Sequence, residues 1–294
     1  MTKIEANHHD HGPHESDDPT YTETWYWQSI DADSRTVYWI HCSWLPAQGR
    51  GQHTSAVITP EGTRRERYDT TEPFRSPVAE ITIVEPWNHV RLRSDLLGVD
   101  LDWRAFHPVI DFGNLLHFNP VSSLDHFEGG GRGQGTVAGH PHRGGGFRDR
   151  SFGPRNMRTM GKAWAFCAVG LDDDLFLAYN ALWTMDRPFD SKPNHTLGCC
   201  WRAGETTIYT DQVLVSRRID AQPMRLLFPD DVEVVLDFDT KIGETWFIFD
   251  PSSRPTADDS FEPCYQLRDQ YLQAQSPQLG RLIGFWEEGT RWNN

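Results

Sequence analysis

The feature that most constrains this chain is a succession of short runs of β-branched and aromatic residues separated by turn-forming residues. Two such runs, Thr24–Ile30 and Thr36–Cys42, are parted by Asp31–Ser34, which is the pattern of a β-hairpin. Further runs predicted as strands occupy Ser55–Thr59, Val78–Glu85, His89–Ser94, Leu115–Phe118, Thr136–Gly139, Ala163–Leu171, Leu175–Thr184, Thr206–Tyr209, Gln212–Arg218, Val232–Asp237, Thr245–Phe249 and Leu282–Trp286. Only the stretch Pro263–Gln273 favours a helix, so the predicted fold class is all-β.

The domain organisation follows from the length and from one change in composition. Many short strands are typical of barrels or sandwiches, and 294 residues are enough for two of them. A stretch rich in Arg, Gly and Pro predicts a boundary near Arg155–Gly161. We therefore expect β domains at residues 21–157 and 158–294. Residues 1–20, with four histidines among acidic residues, are expected to be a disordered tail, and weak metal binding there is the less favoured alternative.

The composition narrows the function classes. The net charge of −14 repels phosphate backbones, so no nucleic-acid partner is expected. No stretch approaches the ~20 apolar residues of a membrane-spanning helix, and the N-terminus lacks the apolar region of a secretory signal. Five cysteines without a C-x-x-C pair favour a reduced, cytoplasmic setting, and no metal or other cofactor is expected. The oligomeric state is left open, and a homodimer is one option.

Three local patterns lead to structural rather than chemical predictions. Gly129–Gly135 resembles a phosphate-binding loop, but strand-like residues follow it, which favours β-bulges or close backbone approach. His140 and His142 flank a proline before three glycines, which predicts a loop, and no third ligand is spaced to complete a metal site. The adjacent Cys199 and Cys200 are expected on opposite faces of a strand, one buried and one exposed.

A segment after the triple glycine carries the most chemical character. In an extended strand, alternation places Phe147 and Asp149 on one face and Arg148 and Arg150 on the other. A carboxyl group in a dry aromatic pocket keeps its proton near neutrality and can act as a general acid. The alternative is that Asp149 pairs with Arg148, Arg150 or Arg155 in a structural network. The pattern alone favours neither.

The same segment, Gly146-Phe147-Arg148-Asp149-Arg150-Ser151-Phe152-Gly153, resembles the Gly-Tyr-x-Asp-His-x-Trp-Gly signature of the carotenoid hydratase superfamily. It looks still more like the Arg-Asp-Arg-Ser-Trp-Gly-Pro-Arg variant of bacterial relatives. Phe127-Glu128 and the closing segment Gly280–Glu287 are similar to that group too. The resemblance implies two consecutive lipocalin-like antiparallel β-barrel or sandwich domains. Members include hydratases of isoprenoid double bonds, hydratases of prenylated isoflavonoids, and pericyclases.

The resemblance also implies that Asp149 is the acid that protonates an alkene. Glu128 is the candidate second carboxylate, and His126 and His117 are candidate proton relays, with a structural role as the alternative for each. Candidate substrate-binding residues are Trp39, Trp103, Phe147, Arg150, Trp164, Tyr179 and Trp183. The predicted function is a cofactor-independent hydratase, dehydratase or isomerase that acts on a hydrophobic isoprenoid, prenylated or steroid-like substrate. A non-catalytic carrier of such molecules and a pericyclase or cyclase are the alternatives.

Overall fold

The computed structural model describes residues 13–107, 109–112, 125–154, 162–184, 186, 193–210, 212–214, 224–229, 232–248 and 264–292. Strands make up nearly all the regular structure of these residues, which confirms the predicted all-β class. The chain divides into two compact units, Met1–Arg155 and Asn156–Asn294. In the part of the chain that the structure describes, no helix combines the length and apolar character that crossing a membrane requires.

The first unit is a single antiparallel sheet that curls into a nearly closed barrel. Its strands are β1 (Tyr21–Asp31), β2 (Thr36–Leu45), β3 (Arg50–Thr59), β4 (Gly62–Thr70), β5 (Arg75–Ser76), β6 (Ala79–Glu85), β7 (His89–Ser94), β8 (Val99–Ala105), β9 (Ile110–Asp111), β10 (Asp125–Val137) and β11 (His140–Pro154). They lie in the order β4-β3-β2-β1-β11-β10-β8-β7-β6-β5, and β9 pairs with β10. The end strands meet where Thr70 Oγ1 donates a hydrogen bond to Arg75 O at 2.8 Å.

The second unit repeats this connectivity with nine strands. They are β12 (Lys162–Gly170), β13 (Leu175–Trp183), β14 (His195–Arg202), β15 (Ile208–Thr210), β16 (Gln212–Leu214), β17 (Met224–Phe228), β18 (Val232–Ile248), β19 (Cys264–Ser276) and β20 (Gly280–Trp292). Their order is β15-β14-β13-β12-β20-β19-β18-β17-β16. In both units the first strand is hydrogen-bonded to the last, β1 to β11 and β12 to β20. The helix predicted over Pro263–Gln273 is wrong, because the described part of this stretch, from Cys264 onward, lies in β19 and pairs with strands on both sides.

Two hairpins determine the arrangement of the first barrel. The predicted hairpin between β1 and β2 is confirmed. The predicted loop at His140–His142 is wrong, since these residues begin β11 and the turn lies just before them at Ala138 and Gly139. Both turn residues have positive φ, 52° and 77°, which is the backbone of the two-residue hairpin turns that match strand twist. His142 is buried and its ring nitrogens contact Ser29 Oγ at 2.8 Å and Thr36 Oγ1 at 2.7 Å.

The core of each barrel is built from alternating side chains of its strands. In the first unit Trp25, Trp27, Tyr38 and Trp103 belong to one buried cluster. In the second, Phe166, Tyr179, Trp183 and Trp286 do so. Burial of this much aromatic surface contributes several kcal/mol per barrel, on the order of 25 cal/mol per Å².

Several strands are buried on both faces rather than one. Every residue of β2 is buried, and so is every residue of β1 after the first. The expectation of one exposed thiol at Cys199–Cys200 is wrong for the same reason: Cys200 packs in the core of the second barrel, while Cys199, on the other face, is also buried. The continuous apolar and aromatic runs in the sequence reflect this double burial.

The glycine run of β10 allows close approach of backbone to side chains, as predicted. A Cβ atom at Gly131 would lie 2.3 Å from Trp103 Cζ2 and 2.6 Å from Arg104 O. The indole ring therefore lies directly over the strand, and a side chain at this position would displace it.

We predict opposite effects on stability for substitutions at the two turn residues. Gly139→Ala should lower the free energy of unfolding by about 1 kcal/mol, because positive φ disfavours a side chain. A Cβ atom at Gly139 would meet nothing in the described part of the chain within 4 Å, so a steric clash does not contribute. Ala138→Gly should raise it by a few tenths to about 1 kcal/mol. Urea denaturation of both variants checks this, and equal effects of the two changes would contradict the turn geometry.

Candidate functional site

A polar face of the first barrel sheet carries the candidate site. Strands β10 and β11 pair so that Glu128 lies opposite Asp149, and β1 places Tyr26 on the other side of Asp149. Directly opposed residues in an antiparallel pair share a face of the sheet. His126 is two residues before Glu128 and points to the same face. Ser151 is opposite His126, so the polar face extends along both strands.

The predicted alternation within the motif is confirmed by the contacts on the opposite face. The Arg148 guanidinium lies over the rings of Trp27 and Trp87, with centroid distances of 5.1 Å and 4.2 Å. It also donates a hydrogen bond to the Trp87 carbonyl at 3.0 Å. Arg148 is fully buried, and its contacts with core indoles place it on the side of the sheet away from Asp149.

Arg150 occupies the same inner face and neutralises a buried acid. Its guanidinium lies 4.0 Å from the Trp25 ring centroid and 4.8 Å from that of Phe152, and it forms an ion pair with Glu23. Both members of this pair are fully buried. His14, which the sequence assigns to the tail, contacts the same group: its Nδ1 lies 3.0 Å from Glu23 Oε1. The structure thus places Arg150 in a structural pair rather than on the face of Asp149.

The polar face brings together one imidazole and two carboxylates. His126 Nε2 lies 2.6 Å from Asp149 Oδ2 and 3.0 Å from Glu128 Oε1. One N–H group is therefore shared between the two acids. Neither sequence alternative for Asp149 named this imidazole as its partner.

The two carboxylates control the proton on His126. Burial alone lowers the pKa of a histidine, but the charges and hydrogen bonds of Asp149 and Glu128 outweigh it and raise the pKa of His126 to about 10. At neutral pH the ring is therefore an imidazolium. The cluster holds one proton that both acids can reach.

The three side chains of the cluster differ in their exposure to solvent. The side chain of Glu128 is 3% exposed, that of His126 14% and that of Asp149 18%. Asp149 is thus the more accessible acid, while Glu128 lies behind the ring. A molecule that approaches the cluster meets Asp149 or His126 first.

Aromatic rings border the polar face. The Tyr26 ring lies 5.9 Å from Phe147 and stacks 6.3 Å from Trp39 between centroids. The hydroxyl group of Tyr26 donates a hydrogen bond to Gln28 Oε1 at 2.8 Å. Phe147 and Trp39, both predicted as substrate-binding residues, therefore lie on the face that carries Asp149. Tyr26, which the sequence analysis did not select, links them.

Three of the remaining predicted site residues lie in the barrel cores. Trp103 is in the core of the first barrel and donates its Nε1–H to Gln28 O at 3.2 Å. Tyr179 and Trp183 are in the core of the second barrel. Trp164 lies on β12, and its side chain is outside the described set. His117 lies outside the described residues.

The cluster could also accommodate a cation. One ligand atom from each of His126, Glu128 and Asp149 lies within 4.8 Å of the others, and imidazole and carboxylate groups are ligands of divalent transition metals. The imidazole–carboxylate distances are those of hydrogen bonds, so a metal ion would have to displace the shared proton. No metal was expected from the sequence, and the arrangement makes that expectation testable.

The sequence contained a signal for this cluster in the turn between β10 and β11. A two-residue turn at Ala138–Gly139 pairs each residue of β10 with the residue of β11 that lies equally far from the turn. Glu128 is thereby paired with Asp149. Such turns are usually recognised from Asn-Gly or Asp-Gly. Because alanine occupies the first position here, the turn could be recognised only from Gly139, and the register was not predicted.

Comparisons with known proteins agree on the fold. The chain resembles a protein of Nitrosomonas europaea assigned as AttH, with a TM-score of 0.60 and 12% identity over 97% of this chain and 95% of that one. It resembles kievitone hydratase from Nectria haematococca (TM-score 0.54, 11% identity, 92% and 88% of the two chains). CghA gives a TM-score of 0.55 and 13% identity over the same shares. The predicted tandem lipocalin-like fold is thereby confirmed.

Residues 5–240 match a protein-family model that is described as a domain of unknown function. No curated protein matches the sequence.

We predict that His126 makes the stability of the protein pH-dependent. Its pKa in the folded state, about 10, lies above its ordinary value of 6.5, so its stabilising effect is complete below about pH 6.5 and is lost as the pH rises toward 10. The free energy of unfolding should therefore fall more steeply with pH in the unmodified protein than in His126→Gln, by at most about 1.4 kcal/mol per pH unit.

Urea titrations at intervals from about pH 6 to about pH 10 measure this difference. His140→Gln, a change at an exposed histidine on the same strand as Asp149, is the control and should leave the slope unchanged. Parallel curves for the unmodified protein and His126→Gln would contradict the assigned proton.

Proposed function

The chain belongs to the DUF7064 family, and we propose that it is an enzyme that adds water to, or removes water from, a carbon–carbon double bond in a hydrophobic substrate. Isomerisation of the double bond uses the same first step. The observation that carries this proposal is the shared proton of His126 between Asp149 and Glu128 on a face bordered by Tyr26 and Phe147.

Asp149 is proposed to deliver the proton, and His126 to supply it. The 2.6 Å contact allows the proton to move from His126 Nε2 to Asp149 Oδ2. A substrate that excludes water favours this transfer, because it converts an ion pair into two neutral groups, and burial penalises charge. Asp149 then becomes the acid, in agreement with what the sequence motif implies.

The proposed reaction conserves the proton of the cluster. Asp149 protonates one alkene carbon, and the other carbon becomes a carbocation. Water adds to that carbon, and the proton that it releases returns through Asp149 to His126. Dehydration is the same sequence in reverse. Aromatic faces and carboxylates both stabilise a carbocation, and Tyr26, Trp39 and Phe147 are aromatic rings on this side of the sheet.

Glu128 is proposed as a positioning residue. It is almost completely buried and holds the same imidazole N–H that Asp149 contacts. Its charge keeps His126 protonated in the free enzyme, which ensures that the proton is present when the substrate binds.

The carrier alternative finds less support in the first barrel. Carriers of this shape hold their ligand in the barrel interior. Here fully buried side chains, among them Trp25, Trp27, Arg148 and Arg150, occupy that interior. The polar cluster lies on the other face of the sheet, which fits chemistry better than passive storage.

The substrate class remains the one that the motif implies, an isoprenoid, prenylated or steroid-like alkene. Support comes from the apolar character of Tyr26, Trp39 and Phe147 beside the cluster, and from the likeness in fold to a protein named kievitone hydratase. A cyclisation that needs only shape and hydrogen bonds is the second candidate, because the same face would serve it.

We predict that Asp149→Asn lowers turnover by at least a hundredfold, since it removes the proton-transferring group. The substitution keeps the size of the side chain, so ligand affinity should change little, while the melting temperature should fall moderately because the ion pair with His126 is lost. The assay incubates the protein with terpenols and prenylated phenols and measures gain or loss of one water by mass spectrometry. Asp100→Asn, at an exposed position on β8, is the matched control and should remain active.

Four outcomes would contradict the proposal. Full activity in Asp149→Asn would exclude the acid role, and cyclisation retained in that variant would favour the second candidate. Activity that falls in Asp149→Asn only in proportion to the loss of folded protein would indicate that the ion pair has a structural role alone. Activity that a chelator abolishes and a divalent cation restores would replace the proton mechanism with a metal site at the same residues.

A test of the role of Glu128 requires a measurement that the loss of a purely structural residue would not change. Glu128→Gln should move the alkaline limb of the pH–rate profile to lower pH, because one of the charges that hold the proton on His126 is lost. An unchanged profile with reduced activity would indicate a structural role only.

A further inference from the structure

A second pair of carboxyl groups is buried in the second unit. Asp269 on β19 is fully buried and lies directly opposite Glu287 on β20. Tyr271 donates a hydrogen bond from its hydroxyl group to Asp269 Oδ2 at 3.3 Å, and Glu287 contributes a side-chain hydrogen bond. Two adjacent acids in a buried setting are most stable when they share one proton.

One oxygen atom of this pair is a buried acceptor that lacks a donor among the described residues. Among the residues that the structure describes, Oδ1 of Asp269 has no hydrogen-bond partner. A buried acceptor without a donor costs about 1–3 kcal/mol, so a donor from a bound molecule would stabilise it. Glu287 is only partly buried and gives the pair its accessible side.

The pair occupies the same place in its barrel as Glu128 and Asp149 in theirs. In both units one acid lies on the next-to-last strand and its partner on the last strand, and the first strand pairs on the far side. There Tyr26 is next to Asp149, and Ala165 is next to Glu287.

The last strands of the two barrels share a local pattern that supports this equivalence. Gly146-Phe147-Arg148-Asp149 and Gly284-Phe285-Trp286-Glu287 both read Gly-Phe-x-acid. Each glycine lies against the first strand of its own barrel: a Cβ atom would be 1.9 Å from Gln28 O at Gly146 and 2.2 Å from Cys167 O at Gly284. The third residue of each pattern faces the core, as Arg148 and Trp286 do.

We propose that Asp269 and Glu287 form a second acid–base centre, which binds the hydroxyl group of an otherwise apolar small molecule through Oδ1 of Asp269. The hydrogen-bond donor to Asp269 is the neutral phenol of Tyr271, whereas the donor in the first cluster is an imidazolium. The second centre therefore gains no positive charge from its donor. Such a centre suits a neutral ligand. It goes beyond the proposed function, which uses only residues of the first unit.

The physical chemistry of the surroundings fits this assignment. Burial raises the pKa of Asp269 well above its ordinary value, although the hydrogen bonds from Tyr271 and Glu287 lower it. Thr245, Asp269, Glu287 and Asn180 lie in one row across the sheet, with Ala165 between the last two. The neighbouring row contains Tyr271 and Phe285, opposite each other, which can contact the apolar part of a ligand.

The test compares two probes that differ in one donor. β-Naphthol carries a hydroxyl group, and β-naphthyl methyl ether has the same rings without the O–H donor. We expect β-naphthol to bind the full-length protein about tenfold more tightly at neutral pH, the usual effect of one hydrogen bond to a charged group. Asp269→Leu should bring the two dissociation constants close together.

Two variants separate this centre from other acids. Glu288→Gln alters the neighbouring acid on β20 and should keep the tenfold preference. Asp149→Asn, which tests the proposed function, should keep it as well. A preference that disappears in Asp149→Asn and persists in Asp269→Leu would overturn the inference and assign the hydroxyl group to the first cluster.

A measurement on the unmodified protein covers the case in which Asp269→Leu does not fold. The carboxyl carbon-13 resonance of Asp269 should shift when β-naphthol is added and remain in place with the methyl ether. It should also titrate at a higher pH than Asp172, whose pKa the hydrogen bonds from Arg281 lower. Equal binding of the two probes, no binding of either, or an unshifted resonance would each overturn the assignment.

Discussion

The register between β10 and β11 is the constraint on which the rest of the site depends. A two-residue turn at Ala138–Gly139 begins a long antiparallel ladder. Ten residues from the turn, that ladder places Glu128 opposite Asp149 and His126 diagonally across from it. No other element is required to assemble the three groups, since all lie on these two strands. The cluster is therefore as rigid as the hairpin that carries it.

The same hairpin separates opposite charges onto the two faces of one sheet. Arg148 and Arg150 point into a core of indole rings, where cation–π contacts and the Glu23 carboxylate compensate their charge. Asp149, between them in sequence, points the other way to His126. Removal of charged groups from water is costly unless each has a partner. Here each face provides its own partners, so the arginines leave Asp149 available for another role.

Much of the fold could be predicted from the sequence, because strand signals are local. The β1–β2 hairpin, the all-β class and the alternation around Asp149 depend on nearest neighbours and on a period of two. The errors arose where tertiary structure overrides local pattern. A helix was predicted over Pro263–Gln273, but the residues from Cys264 onward form β19 and pair with β18 and β20.

The candidate site was only partly predictable. Asp149, Glu128 and His126 could be selected from residue type and resemblance, but their mutual contacts depend on register, which Ala138 obscured. Trp103 and Arg150 were selected as aromatic or charged residues in suitable strands, and the structure places both in the core. Residue type alone cannot indicate which face of a doubly buried strand meets a ligand. Asp269 was overlooked because it lies in the stretch predicted as a helix, where a pairing with Glu287 on a neighbouring strand was not expected.

The alternation of Arg148, Asp149 and Arg150 also bears on how the strand finds its place during folding. If β11 slipped by one position against β1, the Asp149 carboxylate would face the indole rings of the core. The guanidinium groups of Arg148 and Arg150 would then lose their contacts with those rings. Every charge would then face an unsuitable environment, and such a misaligned state would be strongly disfavoured. The motif thus protects the correct alignment of the barrel, independently of any chemistry that its central acid performs.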